Sequence, residues 1–385
     1  MNPSVILPGK TIGILGGGQL GRMFAIAARR MGYRVHAFDP TQDCPTGQVA
    51  DLEVNAPYDD VEAARRFASV VDVVTFEFEN VPAETLAAVE KIRPVRPSPF
   101  VLETTRHRLR EKDFLSKNGF PVAPYRRIET VEDLRKGVAE LGMPCILKTA
   151  EFGYDGKGQV KINAAGEVET AWKQLGGRLG VLEGFIRFEK EISIIGARGA
   201  DGAFRHYEPF ENEHRNHILD VTTYPAAVSQ KVSSRAADVA VGIAKALDLV
   251  GVMCVEMFVV GEDVIVNELA SRPHNSGHLT IDAHMVCQFE AQLRAICGLP
   301  NVGYGRACEA AAMANLLGDL WHGGEPDWVA ALEQGVKLHL YGKKKAAPGR
   351  KMGHLTAAGG TVEEARRRVL AARAALTRPA SGAAK

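Results

Sequence analysis

Along the first hundred residues, short apolar runs rich in β-branched residues alternate with amphipathic stretches. Thr11 to Leu15 reads as a strand, Gln19 to Met31 as a helix, Tyr33 to Phe38 as a second strand and Val70 to Phe76 as another, with a helix after Pro82. This alternation predicts a doubly wound parallel sheet covered by helices. Pro94, Pro97 and Pro99 interrupt it and close a first domain, residues 1–104.

A second domain, residues 105–300, opens on a basic helix, Arg106 to Lys117. The helix Val131 to Leu141 leads into the strand Cys145 to Lys148. A glycine-rich loop, the strand Gln159 to Ile162, a helix and further strands follow to about Ile195. The helix Val232 to Leu247 precedes two strand-like runs, Val252 to Val260 and Val264 to Val266, joined by the turn signal Gly261-Glu262-Asp263. The helix His284 to Cys297 ends at Gly298 and Pro300. Residues 301–385 form a small third domain. Strands at Ala310–Leu316 and Val336–Leu340 flank a helix near Trp328, and the last helix opens on a capping box, Thr361-x-x-Glu364. The tail from Pro379 is expected to fray.

Composition narrows the function classes. Hydrophobic residues make up 46% of the 385 and charged residues 24%, as in soluble globular chains. Lys and Arg total 47 against 46 for Asp and Glu, so no overall charge recruits nucleic acid or membrane. The absence of a signal peptide and of an apolar run of about 18 residues points to a cytoplasmic protein. The six cysteines include no CxxC pair and read as free thiols.

The candidate chemistry sits in four places. Glu256 and Glu268 fall on the two strands of the hairpin, with Asn267 beside them. Carboxylates held that close repel unless a cation lies between them, and Mg²⁺ takes a few carboxylates together with phosphate oxygens. An exposed hairpin with two surface acids is the alternative. The polar loop Ala270 to His278 that follows suits anion binding. Gly153-Tyr154-Asp155-Gly156-Lys157-Gly158 is either a glycine-rich turn or a flap over phosphates, and Lys148, ending an apolar strand, needs an anionic partner. Glu183-Gly184-Phe185-Ile186 suits an adenine site but also fits an edge strand. Gly16-Gly17-Gly18-Gln19-Leu20-Gly21 fits the dinucleotide fingerprint, with Asp39 ending the next strand, yet nothing downstream resembles a hydride-transfer site.

In this order the pieces resemble the ATP-grasp superfamily, and more finely the N5-carboxyaminoimidazole ribonucleotide synthases. The resemblance is carried by Gly16 to Met23, Thr75-Phe76-Glu77, Gly153 to Gln159, Asn267 to Ala270, Arg272 to His278 and Pro348 to His354; Ser271 departs slightly from the usual pattern. It implies an α/β and α+β protein: an ATP-grasp fold with an N-terminal doubly wound, Rossmann-like domain and a small C-terminal α/β domain. It implies ATP- and bicarbonate-dependent carboxylation of 5-aminoimidazole ribonucleotide through carboxyphosphate, with release of ADP and phosphate. Mg²⁺ or Mn²⁺ is the implied cofactor, a homodimer the implied assembly, and a separate mutase the implied recipient of the product. Arg108, Lys148, Gly153 to Gln159, Glu183 to Ile186, Glu191, His214, Asn267 and Glu268 look like the ATP contacts; Glu256 and Glu268 look like the metal ligands. Gln19, Glu77, Tyr154, Asp155, Arg272, His274, Asn275, Arg350, Lys351 and His354 look like the ribonucleotide and bicarbonate site. Tyr154, Asp155, Lys157, Arg272 and Lys351 are the implied catalytic set. Another ATP-grasp ligase acting on a purine intermediate or carboxylate is the nearest rival. An NAD-dependent oxidoreductase or a nucleotide-binding protein with a dead site are rivals from other classes.

Overall fold

The computed structural model describes residues 5–151 and 158–377. Gly153, Tyr154, Asp155, Gly156 and Lys157, and the C-terminal tail, lie outside the described residues.

The first unit is the parallel sheet that the alternation predicts. Strands β1 (Thr11–Leu15), β2 (Arg34–Phe38), β3 (Leu52–Val54) and β4 (Val73–Phe76) run in the order β3-β2-β1-β4, all parallel. Helices α1 (Gln19–Arg30), α2 (Val61–Ser69), α3 (Ala83–Glu90) and α4 (Pro99–Thr105) connect and flank them. β4 begins at Val73 rather than Val70, because Val70 still bonds back to Phe67 and closes α2.

The second unit is a four-stranded antiparallel sheet. Helices α5 (Arg108–Lys117), α6 (Val131–Leu141) and α7 (Val168–Gln174) accompany strands β5 (Tyr125–Ile128), β6 (Cys145–Thr149), β7 (Gln159–Ile162) and β8 (Gly180–Gly184), ordered β5-β8-β6-β7. Thr130 and Asp133 cap α6 reciprocally.

The remaining strands form one large sheet. They are β9 (Lys190–Arg198), β10 (Phe204–His206), β11 (Phe210–Arg215), β12 (Ile218–Tyr224), β13 (Gly251–Val260), β14 (Asp263–Ala270), β15 (Ala310–Leu317), β16 (Lys337–Leu340) and β17 (Lys351–Gly359). Their path is β14-β13-β9-β11-β12-β15-β17-β16, with β10 on β9. Helices α8 (Gln230–Ala246), α9 (Thr280–Ala283), α10 (Gln288–Cys297), α11 (Trp328–Leu332) and α12 (Val362–Ala375) complete the chain. α10 starts at Gln288 rather than His284: the Gln288 amide donates to Thr280 Oγ1, and His284 leaves the end of α9 to bridge Arg306.

The sheet runs without a break past residue 300, since β15 pairs with β12 and β17. β15 is buried along nearly its whole length, so it needs a neighbour on each edge and cover on both faces. Lys351 opens β17. The first unit shares its core with α10: Ile12, Phe24 and Val35 pack in one cluster with Phe289, Leu293 and Ile296. Among the described residues, no helix is long and apolar enough to cross a membrane. All six cysteines are free.

His284 gives the fold a built-in acid sensitivity. Its ring sits edge-on to Tyr207 at 4.8 Å and Tyr224 at 4.6 Å. Burial, reinforced by Arg306 and opposed by Glu208, pushes its pKa from 6.5 down to about 4. The unfolded chain therefore takes up this proton more readily. The stabilisation is complete above pH 6.5 and is lost as pH falls toward 4. Urea denaturation at a series of pH values should show this loss, and His284→Phe should shrink it. An identical pH slope in the variant would contradict the assignment.

Candidate active site

The site is built where the antiparallel sheet and the large sheet meet the first unit. Its centre is the hairpin of β13 and β14, in which Glu256 pairs directly with Glu268. The register shifts after Glu256, so Asn267 is the extra residue of a bulge and escapes the strict alternation beside Glu268. Burial first, then the charge of Glu268, push Glu256 up to about 7, with His214 and Lys351 opposing. The pair is therefore short of positive charge.

Pairing brings more groups to the same face. Glu256 lies opposite Ser193 and Phe258 opposite Glu191, and Glu191 in turn lies opposite Asn212 on β11. His214 Nδ1 is 2.8 Å from Glu191 Oε2. Burial lowers the His214 pKa, but the Glu191 bond and the charges of Glu256 and Glu268 outweigh it and raise the pKa overall.

The antiparallel sheet supplies cations. Lys148 Nζ lies 3.0 Å from one oxygen of Glu183, and Lys112 Nζ lies 3.1 Å from the other. Burial alone would raise Glu183, but the two ammonium groups hold it down at about 2. The anionic partner that Lys148 demands is thus inside the protein. The Glu183 carboxylate is committed to these two lysines. The Arg108 guanidinium donates to Thr149 O at 3.0 Å. Gln159 pairs with Lys148 across the strands, and Gly158 takes φ +72 before it.

The first unit forms the third wall. The Gly17 amide donates to Asp39 Oδ2 and the Gly18 amide to Glu77 Oε1, each at 2.7 Å. Tyr58 donates to the same Asp39 oxygen at 2.5 Å. The amide cradle that a dinucleotide pyrophosphate would use is filled by the protein's own carboxylates, so the fingerprint does not make an NAD site. Gln19 opens α1 beside this loop. Arg272 Nε lies 2.9 Å from Glu79 of this wall, and Arg272 also interacts with Glu77 and Glu268.

His274 Nδ1 is 2.9 Å from Ser276 Oγ and accepts the Ser276 amide at 3.3 Å, which leaves its proton on Nε2, 3.4 Å from Glu256 Oε1. Burial, then Arg272 and Lys351, push its pKa well below 6.5. Lys351 thus reaches Glu256 and His274 electrostatically, although it is distant from both in sequence. Asn275 is buried in the same loop. Arg350 folds back on Lys345 O. His354 departs from the expected substrate contact: it is 0% exposed, bonded to Tyr341 and stacked on His339 at 4.5 Å, so it stands behind Lys351 rather than in the cleft.

Sequence reasoning missed Glu79, Glu111, Lys112 and Lys343. Lys343 interacts with Glu77 and donates to Lys351 O, and its only signal was a lysine run that also reads as surface charge. Glu111 and Lys112 lie in a helix that reads simply as basic. Burial, followed by Glu268, pushes Glu111 up to about 8.

Among the described residues, no three His, Cys, Asp or Glu are arranged to hold a metal unaided. The hard oxygens of Glu256 and Glu268 fit instead a divalent cation that completes its shell with phosphate oxygens.

A carboxylate hairpin facing a lysine-bearing antiparallel sheet is the ground plan of an ATP-grasp ligase. The ATP-grasp domain family model matches residues 113–289, the ribonucleotide synthetase preATP-grasp domain residues 9–106, and the phosphoribosylaminoimidazole carboxylase C-terminal domain residues 311–368. The N5-carboxyaminoimidazole ribonucleotide synthase of Bacillus subtilis is 42% identical over 357 residues, spanning 92% of this chain and 93% of its own. The synthetase of Staphylococcus aureus complexed with ADP superimposes with a TM-score of 0.90 at 34% identity, covering 96% of this chain and 99% of its own. The Aspergillus clavatus synthase in complex with ADP and 5-aminoimidazole ribonucleotide gives 0.87 at 31% identity, covering 95% and 98%. The chain belongs to the N5-carboxyaminoimidazole ribonucleotide synthase family.

Replacing Glu183 tests the lysine clamp. Glu183→Gln leaves the buried Lys112 ammonium and the part-buried Lys148 ammonium facing a neutral amide, which should cost about 3 kcal/mol or more of stability. Urea denaturation measures it; a change within about 1 kcal/mol, the range of an exposed pair, would show that the clamp is not a buried ionic contact.

Proposed function

We propose that this protein carboxylates 5-aminoimidazole ribonucleotide to N5-carboxyaminoimidazole ribonucleotide in purine biosynthesis, using ATP and bicarbonate. The observation that carries the reading is the pairing of Glu256 with Glu268, with Glu256 pushed up to about 7 by burial and then by the charge of Glu268. When bound there, Mg²⁺ or Mn²⁺ supplies the positive charge that a transferring phosphoryl group needs.

The chain's own residues do the rest. Lys148, aimed by Glu183, and Arg108 hold the nucleotide phosphates. Gly184 to Ile186 lie along the base, and Glu191 with His214 takes the ribose side. Bicarbonate oxygen attacks the γ-phosphorus, the bond to ADP breaks, and carboxyphosphate forms. The exocyclic amine then takes the carboxyl group, directly or from released CO₂; phosphate leaves and the amine gives up a proton. Arg272 and Lys351 meet the developing anionic charge, Arg272 held by Glu79 and Lys351 by the start of β17. Gln19, Glu77, His274, Asn275 and Arg350 border the ribonucleotide. Gly153 to Gln159, with Tyr154, Asp155 and Lys157, is assigned the water-excluding cover on sequence grounds, since carboxyphosphate hydrolyses readily. The protein is assigned to the cytoplasm as a homodimer that delivers its product to a separate mutase.

ADP release by the purified protein tests this. Turnover should require Mg²⁺ and bicarbonate and rise strongly with 5-aminoimidazole ribonucleotide. Glu256→Gln or Glu268→Gln should lower it by roughly two orders of magnitude or more through lost charge stabilisation. Turnover indifferent to the ribonucleotide but responsive to formate or biotin would overturn the reading, as would near-normal activity in both variants.

A further inference from the structure

One turn of α5 carries Arg108, Glu111 and Lys112, and the fold alone does not require the last two to be buried. Leu109 and Leu115 already anchor the helix, yet Glu111 is 3% exposed and Lys112 1%. Buried charged side chains are retained where they are paired or where they hold something in place. Each of these holds one half of the site.

Arg108 fixes the start of the helix to the lysine-bearing strand, its amide donating to Ala150 O at 2.9 Å and its guanidinium to Thr149 O. Lys112, four residues on, reaches the same sheet. Its ammonium lies 3.1 Å from Glu183 Oε1, and the other Glu183 oxygen holds Lys148. Glu111 points elsewhere, because successive helical residues diverge by about 100°. Its Oε2 accepts the Leu269 amide at 2.9 Å, the residue directly after Glu268 on β14. One further tie seats the same strand on the segment after α5: a parallel bridge between Val122 and Val266, in which the Val266 amide donates to Pro121 O at 2.8 Å. Of these ties from α5 and the segment after it, the Glu111 bond lies next to the carboxylate itself.

We propose that Glu111 and Lys112 are positioning residues that set the separation between the phosphate-holding lysine and the metal-holding carboxylates. Glu111 fixes Leu269 and with it Glu268; Lys112 fixes Glu183 and with it Lys148. Neither touches a ligand. Adjacent on a rigid helix, they transmit a fixed geometry between two sheets that share no strand. The proposal rests on the reading of Lys148 and Glu268 as nucleotide and metal groups.

Binding to the full chain tests it without turnover. ADP affinity is measured calorimetrically without metal, and Mn²⁺ affinity of the ADP complex by the electron paramagnetic resonance of free Mn²⁺. Glu111→Ala should weaken Mn²⁺ binding roughly tenfold or more while metal-free ADP binding stays within about threefold, as expected of a lost support behind a ligand. Glu111→Gln keeps the acceptor oxygen and should restore Mn²⁺ affinity. Lys112→Met should show the opposite split, losing ADP affinity without metal. If Glu111→Ala does not fold, Glu111→Asp, whose reach is one methylene shorter, should show the same Mn²⁺ loss. Parallel loss of both affinities in the Glu111 and Lys112 variants, unchanged affinities in either, or a Glu111→Gln no better than Glu111→Ala would overturn the proposal. A wild-type protein that bound neither ADP nor Mn²⁺ would instead sink the reading on which it rests.

Discussion

Two carboxylates set directly opposite each other on neighbouring strands make an arrangement a protein maintains only against resistance. β13 has a strand on each side and is buried along most of its length, so the pairing that fixes Glu256 opposite Glu268 is dictated by the core beneath it. Of the cations that reach the pair, His214 is bonded to Glu191 and Arg272 to Glu79. His274 is held neutral with its proton toward Glu256. On the proposed reading, a bound cation meets the electrostatic demand of the hairpin.

The first unit shows how a dinucleotide-like sheet can serve another purpose. Its glycine loop turns at Gly16, φ +121, as the fingerprint requires. The amides that would cradle a pyrophosphate bind Asp39 and Glu77 instead. Glu77 is pushed up by burial despite the Gly18 bond and the nearby Arg272 and Lys343. What remains is a rigid acidic wall that holds Arg272 through Glu79 and joins the rest through the core shared with α10. The class of fold survives, and the ligand it faces changes.

Much of this was legible in the sequence, for physical reasons. Strongly patterned elements such as β1, α1, α6 and the carboxylate hairpin follow from apolar periodicity, capping and turn signals. The continuity of the large sheet was not legible, because periodicity shows that Ala310–Leu316 is a strand but not which strand pairs with it. Short strands such as β3 and β10, three residues each, carry too little pattern to see. At the site, Lys148 and Glu268 stood out as charges at the ends of apolar runs, and Glu256 as a charge inside one. Glu111 and Lys112 did not, since an acid beside a base in a charged helix looks like solvated surface, and only tertiary packing buries it. His354 misled for the converse reason: a polar residue in a glycine-flanked motif reads as ligand-facing, while the pairing of β17 with β15 and β16 turns it inward.

The central claim is that the Glu256–Glu268 pair exists to hold a divalent cation against nucleotide phosphates. Crystals grown with ADP and Mn²⁺, measured at a wavelength where manganese scatters anomalously, test it most directly. The account predicts an anomalous peak within about 2.0–2.3 Å of oxygens from both glutamates and from the ADP phosphates, distances set by hard-cation coordination. A nucleotide bound in the cleft with manganese elsewhere, or with both glutamates turned away from it, would contradict the account.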